Sequence, residues 1–66
     1  MEQNLGRKIK DRRKAMKMSQ ETLAKKSNLS RARISAIESG KSNDILVSTL
    51  VAISVALETN VEFFLT

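Results

Sequence analysis

The chain has 66 residues, 41% of them apolar, which predicts one small domain, residues 1–66, with a single core. It contains no Cys, His or Tyr, so disulfides and imidazole-ligated metals are excluded. An enzyme would need a carboxylate pair or a tuned Lys in a pocket that 66 residues can scarcely form, so neither an enzyme nor a cofactor is expected. The net charge is +5, and no apolar stretch approaches the roughly 20 residues that cross a bilayer, so a cytoplasmic location is expected.

Residue types and their distribution indicate a fold class and a kind of partner. Proline is absent and only two Gly occur, which is typical of an all-α protein rather than a β-sandwich or barrel. All 12 bases lie between Arg7 and Lys41, so residues 1–41 carry +8 (12 bases, 4 acids) and residues 42–66 carry −3 (no base, 3 acids). This separation predicts a front that attracts polyanions and a back that is apolar and not basic.

The first predicted helix covers about residues 4–16. One stripe at helical spacing is mostly apolar and consists of Leu5, Ile9, Arg13 and Met16. The opposite face is basic and consists of Arg7, Lys10, Lys14 and Lys17. A basic amphipathic segment also leaves open a cationic membrane-active peptide, which would become helical only on lipid.

Two helix starts with the same arrangement follow. Ser19 is a predicted N-cap, and Met18 and Leu23 flank it at the spacing of a hydrophobic staple. The segment Leu29–Ile34 repeats this arrangement around Ser30. The repetition predicts two consecutive short helices.

The residues between and after these helices predict how each one ends. Asn28 tolerates the left-handed conformation that a tight turn needs, and Gly40 is typical of the position just past a helix. Ile34 and Ile37 are expected to point into the core. Two short helices joined by a tight turn form a helix-turn-helix motif, predicted here at about residues 19–39.

A fourth helix is predicted to start at a Ser48 or Thr49 cap and to run to about Leu57. Its core-facing stripe consists of Leu50, Ile53 and Leu57. The β-branched content of this segment leaves a strand open as the alternative. Asn60 is expected to cap one last helical turn.

Val51 and Val55 lie outside the core-facing stripe of this fourth helix. A monomer would expose both valines beside the apolar residues of the last turn. We therefore predict a dimerisation region at about residues 48–65, with an interface formed by Val51, Val55, Phe63, Phe64 and Leu65. The alternative is that the C-terminal turn covers both valines within one chain.

Three segments with characteristic spacing are Ser19–Ala24 (SQETLA), Asn28–Ser30 (NLS) and Ile34–Lys41 (ISAIESGK). Together with the apolar tail they resemble the lambda-repressor-like helix-turn-helix family of Cro proteins, phage repressors and restriction–modification controllers. The resemblance covers about residues 5–65. It departs from the family in having Asn28 where Gly is usual, and in a longer loop without Pro after Lys41. It implies a compact bundle of about five short helices.

The resemblance implies that the second helix of the motif reads base edges in the major groove of DNA. The residues that this assigns to base contacts are Arg31, Ala32, Arg33, Ser35 and Ala36. Arg31 suits a bidentate contact with guanine, and Arg33 can reach either a base edge or a phosphate.

The resemblance also implies contacts with the phosphate backbone and one internal ion pair. The phosphate contacts are Gln20, Ser30, Ser39, Lys41 and Asn43, and Gln20 resembles the family's phosphate-binding glutamine. For Ser39 and Asn43, plain capping or turn roles stay open. Arg13 and Glu38 correspond to a salt bridge between the first and third helices of the family.

These features predict a sequence-specific transcriptional regulator, Cro/repressor-like or controller-like, that binds an inverted-repeat operator in double-stranded DNA as a homodimer. No membrane partner and no small-molecule effector are expected. A DNA-binding antitoxin or another protein-interaction module is the remaining alternative. Whether the protein represses or activates depends on the position of the operator.

Overall fold

A computed structural model describes residues 5–41 and 45–65, and these residues form five helices and no strand. The helices are α1 (Leu5–Ala15), α2 (Gln20–Ser27), α3 (Arg31–Ser39), α4 (Val47–Ala56) and α5 (Val61–Leu65). The expected all-α bundle is therefore confirmed, and the strand alternative for residues 49–57 is wrong.

Serine side chains begin α2 and α3 as the sequence predicts. The Ser19 hydroxyl accepts a hydrogen bond from the backbone N–H of Thr22 at 3.0 Å. The Ser30 hydroxyl accepts one from the backbone N–H of Arg33, also at 3.0 Å. Each bond satisfies one of the backbone donors that a helix start leaves without a partner. The two bonds define where the motif helices begin.

Four helices end in a residue with left-handed backbone geometry. The φ angles are 56° at Lys17, 61° at Asn28, 84° at Gly40 and 56° at Glu58. In each case the next residue donates its N–H to a carbonyl five residues back, as in Lys41 N–H to Ala36 O at 3.0 Å. The predicted ends at Asn28 and Gly40 are confirmed. Lys17 and Glu58 adopt a left-handed backbone conformation that residues other than glycine rarely take.

The start of α4 differs from the prediction. Leu46 is the N-cap residue and makes no side-chain capping bond, and Val47 is the first helical residue. Ser48 and Thr49 are therefore inside the helix, and the expectation that one of them caps it is wrong. Packing of the buried α4 residues stabilises this helix without a cap, because tertiary burial outweighs local propensity in short helices.

The core lies where the helices meet, with α1 packed on α3 and α5, and α2 packed on α3 and α4. Its fully buried large apolar side chains are Ile9, Leu23, Ile34, Ile37, Ile53 and Leu57. Gly6 lies where α1 crosses α3, and a Cβ atom there would clash with the backbone oxygen of Ile37. The absence of a side chain at Gly6 is what lets the two helices approach so closely.

None of the helices that the described residues form is both long and apolar enough to cross a membrane.

Candidate nucleic-acid interface

The exposed face of α3 carries three of the predicted base-contacting residues. Arg31, Ala32 and Ser35 are exposed, while Ile34, Ile37 and Glu38 on the adjacent side of the helix are buried. At about 100° per residue the three exposed residues fall within an arc of roughly 100°. Burial of one side of α3 thus directs a continuous strip of short and cationic side chains toward solvent.

Ala36 and Arg33 flank this strip and are both half-buried. Ala36 borders the strip directly, while Arg33 lies about 60° further round the helix. The two arginines of α3 therefore project from different sides, and only Arg31 shares a face with Ala32 and Ser35.

Gln20 begins α2 and is linked to the interior of the protein. Its side-chain amide nitrogen donates a hydrogen bond to Glu38 Oε1 at 3.1 Å. An amide nitrogen carries two hydrogens, so this bond leaves a second one for an anion. The residue is half-buried, and the start of α2 presents further backbone N–H groups beside it.

The ion pair between Arg13 and Glu38 connects α1 to α3. Arg13 Nε donates to Glu38 Oε2 at 2.7 Å, and Arg13 Nη2 donates to Oε1 at 3.0 Å. The relative exposure of the two side chains is 10% and 3%. Arg13 Nη1 also donates to the backbone oxygen of Met18 at 2.7 Å, just before α2. This network holds α3 and the start of α2 on α1 and leaves Arg13 turned inward.

Two predicted phosphate-contacting serines differ in whether the hydroxyl hydrogen is already used in a hydrogen bond within the protein. The Ser30 hydroxyl accepts its capping bond, and its own hydrogen is not used in that bond. The Ser39 hydroxyl instead donates to the Ala36 backbone oxygen at 3.2 Å within the last turn of α3. Ser39 would have to give up that bond to donate to a phosphate. The arrangement corresponds to the turn role that the sequence left open for this residue.

Lys41 follows the Gly40 turn and is exposed, so its ammonium is accessible from the same end of α3 as Ser39. Asn43, the remaining predicted phosphate contact, lies outside the described residues. Among the basic residues only Arg13 is buried, and all 12 lie in the described segment 5–41. The cationic charge is thus available at the surface of the part of the protein that contains the motif.

A second surface is apolar and lies in the other half of the chain. In the described residues, the exposed large hydrophobic side chains all lie between residues 46 and 65. They are Leu46, Val47, Val51, Val55, Phe63 and Leu65. We call this set the exposed apolar surface. Val47, Val51 and Val55 recur every four residues and form one stripe along α4.

Phe64 does not belong to the exposed apolar surface. It is only 4% exposed and packs into the core, so its side chain is not accessible to the predicted interface. In a helix of five residues, adjacent side chains point in different directions, and Phe64 takes the inward one. The C-terminal turn also leaves Val51 43% and Val55 70% exposed, which contradicts the alternative in which it covers both.

Sequence reasoning missed three residues near these surfaces. Leu46 and Val47 extend the apolar surface because α4 starts earlier than predicted. Arg12 was not assigned a role, yet its side chain donates hydrogen bonds to the carbonyl end of α4. The helical spacing that placed Arg13 inward carries no signal for Arg12, because its partners lie about 45 residues further along the chain.

The chain is similar to known helix-turn-helix proteins over most of its length. The family model described as Helix-turn-helix matches residues 9–64. The structure is similar to that of the DNA-binding domain of the P22 c2 repressor, with 32% identity, a TM-score of 0.91, and coverage of 98% of this chain and 86% of that one.

Two further solved structures are similar at nearly full length. The restriction–modification controller C.AhdI from Aeromonas hydrophila has 28% identity and a TM-score of 0.88, with 92% of this chain and 91% of that one covered. SinR, a master regulator for biofilm formation solved in complex with DNA, has 27% identity and a TM-score of 0.89, with 94% and 98% covered. No curated protein sequence matches the chain.

Proposed function

Because the chain belongs to the Helix-turn-helix family of the Cro/C1 type, we propose that it is a transcriptional regulator that binds an inverted-repeat operator in duplex DNA as a homodimer. The family and the similar repressor and controller structures support a DNA-binding regulator of transcription rather than an enzyme. The observation that carries the proposal is the exposed strip on α3, held in place by the buried Arg13–Glu38 pair.

We assign recognition of the DNA base sequence to the exposed strip on α3. Arg31 offers the planar pair of donors that matches guanine O6 and N7, and Ala32 and Ser35 are short enough to let α3 enter the major groove. Ala36 adds a methyl group at the edge of the strip. Arg33 lies about 60° beyond Ala36 and so outside the strip, and we therefore assign it to a phosphate rather than a base.

Positioning on the DNA is assigned to groups around the strip. Gln20 has a second amide hydrogen, Ser30 has its hydroxyl hydrogen, and Lys41 has an exposed ammonium. Ser39 and Asn43 complete the expected set. Contacts of this kind fix the orientation of the protein and do not depend on the base sequence.

The homodimer is supported by the exposed apolar surface. Six large hydrophobic side chains in water are costly for a chain of 66 residues, which buries only about 60% of its unfolded surface when folded alone. A second copy would cover this surface while leaving α3 free. Two recognition helices related by a two-fold axis then read half-sites about one helical turn, or roughly 10 base pairs, apart.

Selection of binding sites from random duplex DNA with the full chain tests the proposal. We expect enrichment of an inverted repeat, with affinity that falls about 10³–10⁵-fold between about 50 and 200 mM salt if roughly 6–10 phosphates are contacted. The control is a duplex with one half-site scrambled, which should bind far more weakly. Enrichment of no sequence, or an affinity that does not respond to salt, would contradict the proposal.

A membrane-active peptide is disfavoured by the packing of α1. Ile9, on its apolar stripe, is fully buried between the other helices, so the face that would enter a bilayer is already used in the core. Circular dichroism in plain buffer should therefore show a folded helical protein. A helical spectrum that develops only with lipid would favour the peptide instead.

A further inference from the structure

Arg12 on α1 makes hydrogen bonds far from the motif. Its Nε donates to the backbone oxygen of Leu57 at 3.1 Å, and its Nη2 donates to the backbone oxygen of Glu58 at 3.3 Å. Leu57 is the C-cap of α4, and Glu58 is the left-handed residue that follows it. A side chain of α1 thus caps the C-terminal end of α4.

The end of α4 needs a cation that its own half of the chain does not supply. Carbonyl groups at a helix C-terminus carry partial negative charge and are stabilised by Arg or Lys. The last turn of α4 contains no basic residue, and residues 42–66 contain none at all. Arg12 supplies this charge from α1.

The same guanidinium group also contacts α5. Arg12 Cζ lies 5.6 Å from the centre of the Phe63 ring, within the range of a cation–π contact. Phe63 in turn packs edge-to-face on Phe64, with ring centres 5.1 Å apart and an interplanar angle of 87°. Phe64 is buried in the core, so Phe63 is held between a core aromatic ring and Arg12.

α5 depends on such contacts for its position. It has only five residues, too few for a helix to be stable on its own. It carries Phe63 and Leu65, which are 47% and 67% exposed and belong to the exposed apolar surface. A small rotation of α5 would therefore change the shape of that surface.

We infer that Arg12 is a positioning residue that helps to set α5 against α4, and so shapes the exposed apolar surface for a second copy of this chain. The inference rests on the proposed homodimer. Arg12 and Arg13 are consecutive on α1, and Arg13 holds α3 through Glu38. α1 therefore contacts both the DNA-reading helix and α5 of the exposed apolar surface, so loss of the Arg12 bonds should loosen the spacing between the two α3 helices of the dimer.

The test compares Arg12→Ala and Arg12→Lys with Lys14→Ala. Lys14 is exposed on the same helix, so its variant loses the same charge without touching α4 or α5. Sedimentation equilibrium without DNA should show a dimer dissociation constant about tenfold higher for Arg12→Ala, since one cation–π contact and two charged hydrogen bonds are lost. Arg12→Lys keeps the charge but not the planar fork, and should fall between Arg12→Ala and the wild type. Lys14→Ala should stay within about twofold of the wild type.

Two further measurements separate positioning from plain stability. Hydrogen exchange should accelerate in α5 and at the end of α4 for Arg12→Ala, and stay slow in α2 and α3. Duplexes carrying the selected repeat with one base pair added or removed between half-sites should discriminate spacing less well with Arg12→Lys than with the wild type. A merely structural role would lower affinity for all spacings by the same factor.

The outcomes are distinct. An unchanged dimer constant together with unchanged α5 exchange in both Arg12 variants overturns the inference, and so does exchange that accelerates equally in every helix. If Arg12→Ala does not fold, Arg12→Lys supplies the same comparison. A monomeric wild type at micromolar concentration overturns the homodimer and this inference with it. In that case α5 exchange still shows whether Arg12 holds α5, so the two failures can be told apart.

Discussion

The buried pair of Arg13 and Glu38 makes the fold sensitive to the loss of either side chain. Glu38 accepts from both Arg13 and Gln20, and its side chain is only 3% exposed. Removing either charge strands the other away from water, which costs about 3–5 kcal/mol. A chain of 66 residues has roughly 3–10 kcal/mol in total. The loss of this one contact is thus comparable with the whole free energy of unfolding.

We therefore expect Glu38→Ala to lower the free energy of unfolding by about 3–5 kcal/mol, as measured by thermal and urea unfolding followed by circular dichroism. Glu21→Ala is the matched control, because Glu21 pairs with Lys25 at 4.0 Å while both side chains are well exposed. That exposed pair should be worth less than about 1 kcal/mol. Equal melting temperatures for Glu38→Ala and Glu21→Ala would refute a stabilising role for the buried pair.

Arg31 and Lys41 are both exposed cations, but we assign them different contacts. Arg31→Ala should weaken binding to the selected operator by about 1–3 kcal/mol and relax the preference at one base pair of each half-site. Lys41→Ala should weaken all duplexes about equally and reduce the salt slope by about one. Fluorescence anisotropy with selected and scrambled duplexes measures both effects. An equal loss on both duplexes for Arg31→Ala would reassign Arg31 to a phosphate.

At the scale of helices, the crossing of α1 and α3 is set by the missing side chain of Gly6. An added Cβ would meet the Ile37 carbonyl and lie 2.9 Å from that of Glu38. Both are backbone atoms of α3, so neither can rotate away, and the two helices would have to separate. The cost also falls on the neighbouring Arg13–Glu38 pair, because it spans the same two helices.

We expect Gly6→Ala to lower the free energy of unfolding by about 1–3 kcal/mol, the usual cost of overpacking, even though Ala favours helix by about 1 kcal/mol over Gly. Urea unfolding measures the change. Lys10→Ala, at an exposed position of the same helix, controls for helix propensity and should change stability little. A Gly6→Ala protein more stable than the wild type would show that α1 can shift outward without loss.

At the scale of the whole molecule, the basic and non-basic halves of the sequence carry two different surfaces, one cationic and one apolar. The cationic strip and its flanking groups lie in residues 5–41, and the exposed apolar surface lies in residues 46–65. A dimer formed through the second surface leaves the first unobstructed. The exposed valine stripe on α4 is the part of this arrangement that a single substitution can probe.

Val55→Asp should shift the protein toward monomer and sharply weaken operator binding, because a charge would be buried at the interface without a partner. Val55 is 70% exposed within one chain, so each monomer should still fold, although an acidic side chain in the last turn of α4 lowers its stability by about 0.3–1 kcal/mol. Analytical ultracentrifugation at micromolar concentration measures the shift, with Lys14→Ala as a control for the lost unit of charge. A mutant that remains fully dimeric would exclude Val55 from the interface.

Much of this architecture follows from short segments of sequence. The caps at Ser19 and Ser30, the left-handed turn at Asn28 and the helix end at Gly40 depend on residues within one or two turns of each other. The inward position of Leu50, Ile53 and Leu57 follows from helical spacing alone. The motif, and the face of α3 that it exposes, were therefore predictable.

Other features depend on which helices meet, and no local pattern encodes that. The early start of α4, the burial of Phe64 and the close approach at Gly6 are decided by packing between separate segments. The bonds from Arg12 to Leu57 and Glu58 span about 45 residues, and they exist only because α1 and the end of α4 are neighbours in space. Capping and helical periodicity are local and can be read along the chain, whereas burial and inter-helix hydrogen bonds belong to the assembled bundle.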